Sequence, residues 1–187
     1  MQQGFVRIIA GKWRGRRLKV PAIKGLRPTP DRVRETLFNW LQPLLEGAYC
    51  LDLFAGSGVL GFEALSRGAA FVEMIDESDT AINLLQTACK MLVAEKDSCI
   101  YRAKAPEGLR PLHHPFDIVF LDPPYSANLL LPCAHYLEEQ HYLAKTAYIY
   151  LEAQQRIEDN ELPANWKIIK NQKAGQVFYH LAYREKS

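Results

Sequence analysis

From Tyr49 onward the chain alternates short apolar runs with amphipathic segments, and this alternation restricts its fold more than any other feature. The apolar runs are rich in β-forming residues and apolar on two sides, as in parallel strands covered by helices on both faces. Helix-like patterns separate several of these runs. One follows the first run and ends at Leu65, and the others cover residues 79–95 and 129–139. We therefore predict an α/β fold with a largely parallel sheet. The five predicted strands are YCLDLF, AFVEMID, CIYRAK, FDIVFLD and AYIYLEA.

The two ends of the chain depart from this alternation. At the C-terminal end, WKIIKNQKAGQVFYHLAYR has two strand-like segments around Ala174-Gly175 and no helix between them, which predicts an antiparallel hairpin at one edge of the sheet. At the other end, the strand-like segments RIIAGKW and RLKV flank a turn at 14–16, and a helical pattern, DRVRETLFNWLQPLL, follows Pro30. We predict a basic β-hairpin extension over residues 1–25 and an α/β domain over 26–187.

Positive charge is concentrated in the N-terminal quarter of the chain. Residues 1–47 hold ten Lys or Arg against three Asp or Glu, whereas the remainder holds 13 basic and 18 acidic residues. Clustered charge of one sign indicates a polyanionic partner such as a nucleic acid. The alternative, a solvated tail, fits less well because Phe5, Ile8 and Trp13 are interleaved with the charges.

Several classes of protein are not expected. The sequence has no run of about 18 apolar residues, so we predict no membrane span, and we expect no secretory signal. The cysteines, at 50, 89, 99 and 133, form no CxxC pair and suit a reducing compartment, which predicts a cytoplasmic protein. His113 and His114 are adjacent but have no second cluster at metal-ligand spacing, so no metal site is expected.

A glycine-rich turn follows the first strand of the α/β pattern. Gly56, Gly58 and Gly61 fit the spacing GxGxxG, in the strand–turn–helix context that this motif requires. Asp76 ends the next strand, where a carboxylate can bind both hydroxyls of a ribose. Together these residues indicate a cofactor that contains adenosine, such as NAD, FAD or S-adenosylmethionine. A purely structural turn is the alternative.

Asp52, within the first strand, favours one of these cofactors. A dinucleotide places its pyrophosphate at the helix N-terminus, where a nearby carboxylate would repel it. S-adenosylmethionine has no phosphate and carries an ammonium and a sulfonium group, which are compatible with an acid near the turn. We therefore predict S-adenosylmethionine as the cofactor and rank a nicotinamide-dependent oxidoreductase well behind.

The tetrapeptide Asp122-Pro123-Pro124-Tyr125 ends the fourth predicted strand, on the same edge of the sheet as the glycine-rich turn. The prolines stiffen the loop, so the Asp122 carboxylate and a proline carbonyl can accept both protons of an amino group. Holding both protons would favour a pyramidal nitrogen and direct its otherwise delocalised lone pair at the methyl group. Tyr125 can stack on a base. A proline-rich turn with a buried tyrosine is the alternative.

Together with the N-terminal segments, these motifs resemble one family, the RsmD methyltransferases. Members of that family methylate the exocyclic amine (N2) of one guanine in bacterial small-subunit (16S) ribosomal RNA. The resemblance implies a Rossmann-like class I S-adenosylmethionine-dependent methyltransferase with a seven-stranded, mostly parallel sheet whose last strand is antiparallel. It also implies small-subunit ribosomal RNA, or the assembled subunit, as partner. It rests on RIIAGKWRGRRL, LRPTPDRVRETLFNWL, LDLFAGSGVLGFEALSRGA and AGQVFYHL, in matching order and spacing.

The resemblance and the motifs together assign roles to residues. The resemblance implies that Ala105 presents its backbone to the adenine. Lys104 stands where related enzymes often have Asp or Asn, and because lysine cannot accept a hydrogen bond its side chain is given no role. The predicted cofactor residues are Asp52, Phe54, Gly56, Gly58, Asp76 and Ala105. The predicted catalytic residues are Asp122, Pro123, Pro124 and Tyr125. The residues predicted to contact RNA phosphates are Arg7, Lys12, Arg14, Arg16, Arg17 and Lys19.

Some assignments remain open from the sequence. Trp13 could stack on an exposed base or belong to the core. Methylation of adenine N6 in DNA is an alternative function, disfavoured because the chain has little room for a separate target-recognition domain. A non-catalytic RNA-binding assembly factor on the same fold is another, disfavoured by the intact glycine-rich turn and tetrapeptide. The residues that could lie near either the methionine end of the cofactor or the RNA are Arg27, Thr29, Arg32 and Arg34.

Overall fold

The computed structural model describes residues 4–21, 29–111 and 113–186. Within these ranges the chain forms nine strands and four α-helices. The strands are β1 Phe5–Arg7, β2 Arg17–Lys19, β3 Tyr49–Asp52, β4 Phe71–Asp76, β5 Ser98–Arg102, β6 Phe116–Leu121, β7 Leu143–Ala153, β8 Trp166–Ala174 and β9 Val177–Glu185. The helices are α1 Asp31–Leu41, α2 Val59–Ser66, α3 Asp79–Leu92 and α4 Leu130–Glu139.

The larger of two sheets has seven strands in the order β5-β4-β3-β6-β7-β9-β8. Strands β3 to β7 are parallel, and β9 runs antiparallel between β7 and β8. The predicted mostly parallel sheet, with a C-terminal hairpin and an antiparallel last strand, is therefore confirmed.

The strand order reverses between β3 and β6. The chain runs outward from β3 to β5 and then returns to place β6 on the other side of β3. In open α/β sheets, ligands bind at such a switch point, beyond the carboxyl ends of the strands. We call this side of the sheet the carboxyl edge. Asp52 ends β3 and Asp122 follows β6, so the two predicted acids flank the switch point.

The sheet separates two layers of core. On one face, Phe38 of α1, Phe62 of α2 and Leu85 of α3 are buried in one cluster. This cluster also contains Val6 and Ile8 of the N-terminal segment. On the other face, Leu137 of α4 is buried against residues such as Leu121. Helices on both faces explain why the central strands are apolar on both sides.

The N-terminal hairpin forms, but its first strand was predicted in the wrong place. The strand covers Phe5–Arg7 rather than the predicted 7–13, and it pairs antiparallel with β2. The backbone of Ile8 still pairs with Arg16 and Gly15, but the next two N–H groups, of Ile9 and Ala10, donate to the Glu63 carboxylate of α2 instead of to a strand. The side chains of Val6, Ile8 and Leu18 are buried in the core, so the extension packs against the α/β domain.

Two helices also end earlier than the sequence pattern suggests. The α1 helix gives way after Leu41 to a short 3-10 turn that contains Pro43, whose ring nitrogen has no proton for an α-helical bond. The α3 helix stops at Leu92 because Val93 takes a left-handed conformation, with φ 55°, and its N–H donates to a carbonyl of the last turn.

No helix in the described ranges has the combination of length and apolar character needed to cross a membrane. Among the same residues, no three His, Cys, Asp or Glu side chains are grouped in a way that could hold a metal ion.

Candidate active site

Asp76 at the end of β4 binds the backbone of the glycine-rich turn between β3 and α2. One carboxylate oxygen of Asp76 accepts the Gly56 N–H at 2.9 Å, and the other accepts the Ser78 N–H at 2.8 Å. Gly56 and Gly58 both have positive φ, 52° and 75°, which is a conformation that favours glycine. The carboxylate predicted to hold a ribose thus also fixes the turn beside it, and each oxygen keeps a further lone pair.

The glycines of the turn also permit close packing. A Cβ at Gly58 would lie 2.4 Å from a methyl carbon of Leu85 and 2.7 Å from the Phe62 ring. A Cβ at Gly61 would lie 2.8 Å from the Met74 sulfur, so Gly61 lets α2 rest directly on β4. Gly58 therefore meets both a conformational and a steric requirement.

We expect the substitution Gly58→Ala to lower the free energy of unfolding by about 2–3 kcal/mol, combining the left-handed backbone with overpacking against Leu85 and Phe62. Urea denaturation would measure it. Gly175→Ala is the matched control, because Gly175 also has positive φ, 63°, but nothing lies within 4 Å of its added Cβ. That control should lose only about 1 kcal/mol. Equal losses in the two variants would show that packing at Gly58 is unimportant.

Asp52 lies buried at the carboxyl end of β3. Its carboxylate accepts the Gly61 N–H of α2 at 3.1 Å. Burial raises the pKa of Asp52 to about 7, although the hydrogen bond from the Gly61 N–H lowers it, and the nearby Asp76 raises it further. An acid with this pKa changes charge near neutral pH, and a bound cation would stabilise its ionised form.

A cavity of about 710 Å³ opens beyond the ends of β4 and β5. Its lining residues lie directly after Asp76 and directly before Ala105, which is itself buried. Lys104 is exposed, and its carbonyl accepts the Gly108 N–H at 2.9 Å. Phe54 is half-buried and packs against the core on the α4 face. The predicted cofactor residues lie at or directly after the carboxyl ends of three adjacent strands, β3, β4 and β5.

Asp122 stands across the switch point from Asp52. Its carboxylate accepts a hydrogen bond from the Thr29 hydroxyl at 3.3 Å. Burial raises the pKa of Asp122 well above its usual range, and the neighbouring acids Glu152 and Asp52 raise it further. Three carboxyl groups thus gather at the ends of β3, β6 and β7.

The two prolines offer unequal acceptors. The Pro124 carbonyl accepts the Ala127 N–H at 2.9 Å, within the short 3-10 turn that begins at Tyr125. Between described residues, no hydrogen bond uses the Pro123 carbonyl. Pro123 is therefore the better partner for Asp122 in holding an amino group. Tyr125 is 38% exposed, so part of its ring is available for stacking.

Glu152 belongs to this site, although the sequence reasoning did not select it. It ends the apolar part of β7 and is only 5% exposed. Its carboxylate accepts the hydroxyl of Tyr125 at 2.8 Å and that of Tyr150 at 2.7 Å. A charged residue within the apolar run AYIYLEA was the signal that could have identified it, since a buried acid needs a specific reason.

The predicted RNA-contacting residues are all exposed, and they lie in different parts of the hairpin. On β1 and β2 the register pairs Arg7 with Arg17 and Phe5 with Lys19, which places these side chains on one outward face. Lys12 lies at the other end of the hairpin, where its backbone N–H donates to the Ser66 carbonyl at the end of α2. Arg14 and Arg16 lie in the connecting turn.

Arg34 connects the β1–β2 hairpin to the segment at Thr29, which contacts the carboxyl edge, by hydrogen bonds. This arginine is fully buried and donates to the Arg7 carbonyl at 2.9 Å, to the Thr29 carbonyl and to Asp31. Arg34 is therefore a structural residue, and Thr29 is the one that reaches Asp122. Arg32 is exposed, and Arg27 lies outside the described residues.

Trp13 is partly buried and packs against the core. Its backbone N–H donates to the Ser66 hydroxyl at 2.9 Å, and the Lys12 ammonium lies 4.3 Å from its ring centroid. These contacts favour the core role over base stacking.

Comparison with known proteins agrees with this architecture. The family model described as Conserved hypothetical protein 95 matches residues 6–183. A protein of Escherichia coli strain K12 named Ribosomal RNA small subunit methyltransferase D is 47% identical over 184 residues, covering 97% of this chain and 91% of that protein. The chain belongs to the RsmD family.

Further RsmD relatives and solved structures extend the match over the whole fold. The Haemophilus influenzae protein of the same name is 45% identical and covers 96% of this chain and 94% of its own length. The solved structure of yhhF from Escherichia coli is 44% identical, with a TM-score of 0.88, and the match covers 98% of this chain and 100% of that one. The predicted family resemblance is therefore confirmed.

Proposed function

We propose that this chain transfers a methyl group from S-adenosylmethionine to the exocyclic amine (N2) of a guanine in small-subunit ribosomal RNA. The observation that carries the proposal is the position of Asp122 and of the Pro123 carbonyl, which no hydrogen bond between described residues uses, across the switch point of the sheet from the glycine-rich turn. The names of the relatives, Ribosomal RNA small subunit methyltransferase D, support the class of substrate. Such a substrate would place the protein in the cytoplasm.

The chemistry of the site fits S-adenosylmethionine. Burial and nearby acids raise the pKa values of Asp52 and Asp122, so a bound pyrophosphate would oppose their ionisation, whereas a sulfonium or an ammonium would favour it. Asp76 and the cavity beyond β4 and β5 would hold the ribose and adenine. When bound, the cofactor supplies an electrophilic methyl group.

The chain itself would hold and orient the amine. Asp122 and the Pro123 carbonyl would each accept one of its two protons, which localises the lone pair on nitrogen and points it toward the cofactor side of the switch point. Tyr125 would cover one face of the base. The base would have to leave its stack, or already be exposed, to reach these groups.

The raised pKa of Asp52 predicts that cofactor affinity depends on pH. Below about 7 the carboxyl is protonated, so it cannot pair with the cofactor's ammonium; above this value it is ionised. Affinity for S-adenosylmethionine should therefore rise by about tenfold between about pH 5.5 and about pH 7.5. Calorimetry in buffers of different ionisation enthalpy would also detect proton release near pH 6. In the variant Asp52→Asn, affinity for S-adenosylmethionine should depend less on pH. An unchanged pH dependence in that variant would show that Asp52 is not its cause.

The basic extension would position the RNA by its phosphates. Arg7, Arg17 and Lys19 lie on the outward face of β1 and β2, and Arg34, which donates to the Arg7 carbonyl, links this hairpin to the segment that contains Thr29. Contacts of this kind add affinity without reading the sequence.

Replacing both Arg16 and Arg17 with glutamine should weaken RNA binding and reduce the slope of log affinity against log salt by about 2. Filter binding at several salt concentrations would measure the slope. Lys145→Gln with Lys167→Gln is the matched control. It removes the same charge from exposed residues near the N-terminal ends of β7 and β8, away from the carboxyl edge. If both double variants reduce the slope equally, net charge rather than the hairpin explains the binding.

The proposed function is tested by transfer of a radiolabelled methyl group from S-adenosylmethionine. The acceptors would be small ribosomal subunits without native modification, naked small-subunit ribosomal RNA and duplex DNA. We expect label in the subunits or the RNA, recovered after digestion as N2-methylguanine. Label in DNA alone would favour adenine methylation, and cofactor binding without any transfer would contradict the proposed substrate.

A further inference from the structure

Glu152 stands beside Asp122 in the sheet. Strands β6 and β7 are parallel neighbours, and their last paired residues are Leu121 and Leu151. Asp122 and Glu152 are the next residues of the two strands, so their Cα atoms are expected about 5 Å apart, with both side chains on the same face. The side chain of Glu152 points to the face that holds α1, because Tyr150, two residues earlier, is buried there.

The Glu152 carboxylate is held but not saturated. The hydroxyls of Tyr125 and Tyr150 donate to its two oxygens, one each. An ionised carboxylate has about four acceptor sites, so about two stay open. In the described ranges, neither Asp122 nor Glu152 is paired with a lysine or arginine side chain. The pair of acids therefore calls for a ligand that brings several hydrogen-bond donors.

The Watson–Crick edge of guanine is rich in donors at the required positions. It presents the N1–H next to the N2 amino group, whereas adenine presents an unprotonated N1 next to its N6 amino group. If Asp122 and Pro123 hold the amino protons, the adjacent ring nitrogen faces the neighbouring acceptor. A carboxylate in that place accepts an N1–H and repels an N1 lone pair.

Resting on the proposed function, we propose that Glu152 accepts the N1–H of the target guanine and so selects guanine over bases without that proton. Tyr125 and Tyr150 keep the carboxylate turned toward the base. The same tyrosine contacts suggest a different role, in which Glu152 only fixes the Tyr125 ring, and the test has to separate the two.

The test uses 2-aminopurine, which keeps the reacting N2 amine but has a lone pair at N1. Small subunits would be reconstituted with ribosomal RNA that carries guanine or 2-aminopurine at the mapped methylation site. We expect the protein to prefer guanine by on the order of 10- to 100-fold in kcat/KM, the effect of one hydrogen bond to a charged group. The variant Glu152→Gln should lose most of this preference, because a glutamine amide can donate to the unprotonated N1.

Tyr150→Phe is the matched control, since it removes one donor to Glu152 and leaves the acid in place. It should keep most of the preference for guanine, because Tyr125 still donates to the Glu152 carboxylate. Equal use of both bases by the unchanged protein would overturn the inference, whatever the variants do. If Glu152 only fixes the Tyr125 ring, the variant Glu152→Gln should lower transfer to both bases by the same factor. That result would also overturn the inference. Failure to methylate the guanine substrate would overturn the proposed function and this inference with it, and calorimetric binding of S-adenosylmethionine would show that the variants are folded.

Discussion

Replacing Asp122 with alanine is expected to lower turnover on the order of 100- to 1000-fold while leaving affinity for S-adenosylmethionine within a few-fold. Asp122 is one of the two acceptors proposed to hold the amine, and removing one preorganised polar group from a reacting centre typically has an effect of this size. It lies across the switch point from the glycine-rich turn that would hold the cofactor. Single-turnover methyl transfer and calorimetry would measure the two quantities separately.

The same variant should not destabilise the protein. Burial and the nearby acids raise the pKa of Asp122 in the folded protein. At pH values above the pKa of Asp122 in the unfolded chain, this carboxyl group therefore destabilises the folded state. Removing the carboxyl should leave stability at pH 8 unchanged or higher. Thr29→Val is the matched control, because it removes the long 3.3 Å hydrogen bond to Asp122 but keeps the acid, and it should lower turnover far less. If cofactor affinity falls together with turnover, Asp122 does not act on the amine alone.

The positions of the predicted cofactor and tetrapeptide residues could be read from sequence because they depend on local pattern. A residue that ends a parallel strand must lie at the carboxyl edge, so the positions of Asp52 and Asp76 followed from the order of the elements. The tetrapeptide followed for the same reason. Alternation of strand and helix, together with the turn at Ala174-Gly175, predicted the mostly parallel sheet and its C-terminal hairpin, whereas the number of strands came from the family resemblance.

What the sequence did not reveal depends on contacts between distant elements. The sequence marks Glu152 as a charged residue in an apolar run, but it does not show that the hydroxyl of Tyr125, 27 residues away, donates to it. The run around Ile9 has the pattern of a strand, yet its backbone donors bind Glu63, 54 residues away. Neither partner can be identified from local periodicity, because local propensity gives way when tertiary contacts satisfy the backbone differently.

Replacing Glu63 with alanine is expected to lower the free energy of unfolding by about 3–5 kcal/mol. This carboxylate is fully buried on α2 and accepts the Ile9 N–H at 2.7 Å and the Arg67 guanidinium at 2.7 Å. It also lies 3.7 Å from Arg34, which has no exposure. Its removal leaves a buried cation and backbone N–H groups without their acceptor. Urea denaturation would measure the loss, and Glu35→Ala, on the exposed side of α1, is the control that should change stability by less than about 0.5 kcal/mol.

A second variant, Glu63→Gln, separates cofactor binding from RNA binding. Glu63 fastens the segment that carries the basic hairpin, whereas the glycine-rich turn is held by Asp76 and the N-terminus of α2. At a temperature where the Glu63→Gln variant is folded, KM for the RNA should therefore rise several-fold while affinity for S-adenosylmethionine stays nearly constant. Limited proteolysis should cut first within the N-terminal segment. A variant in which both affinities fall equally would mean that Glu63 supports the whole domain, and that the extension is not a separately anchored RNA-binding element.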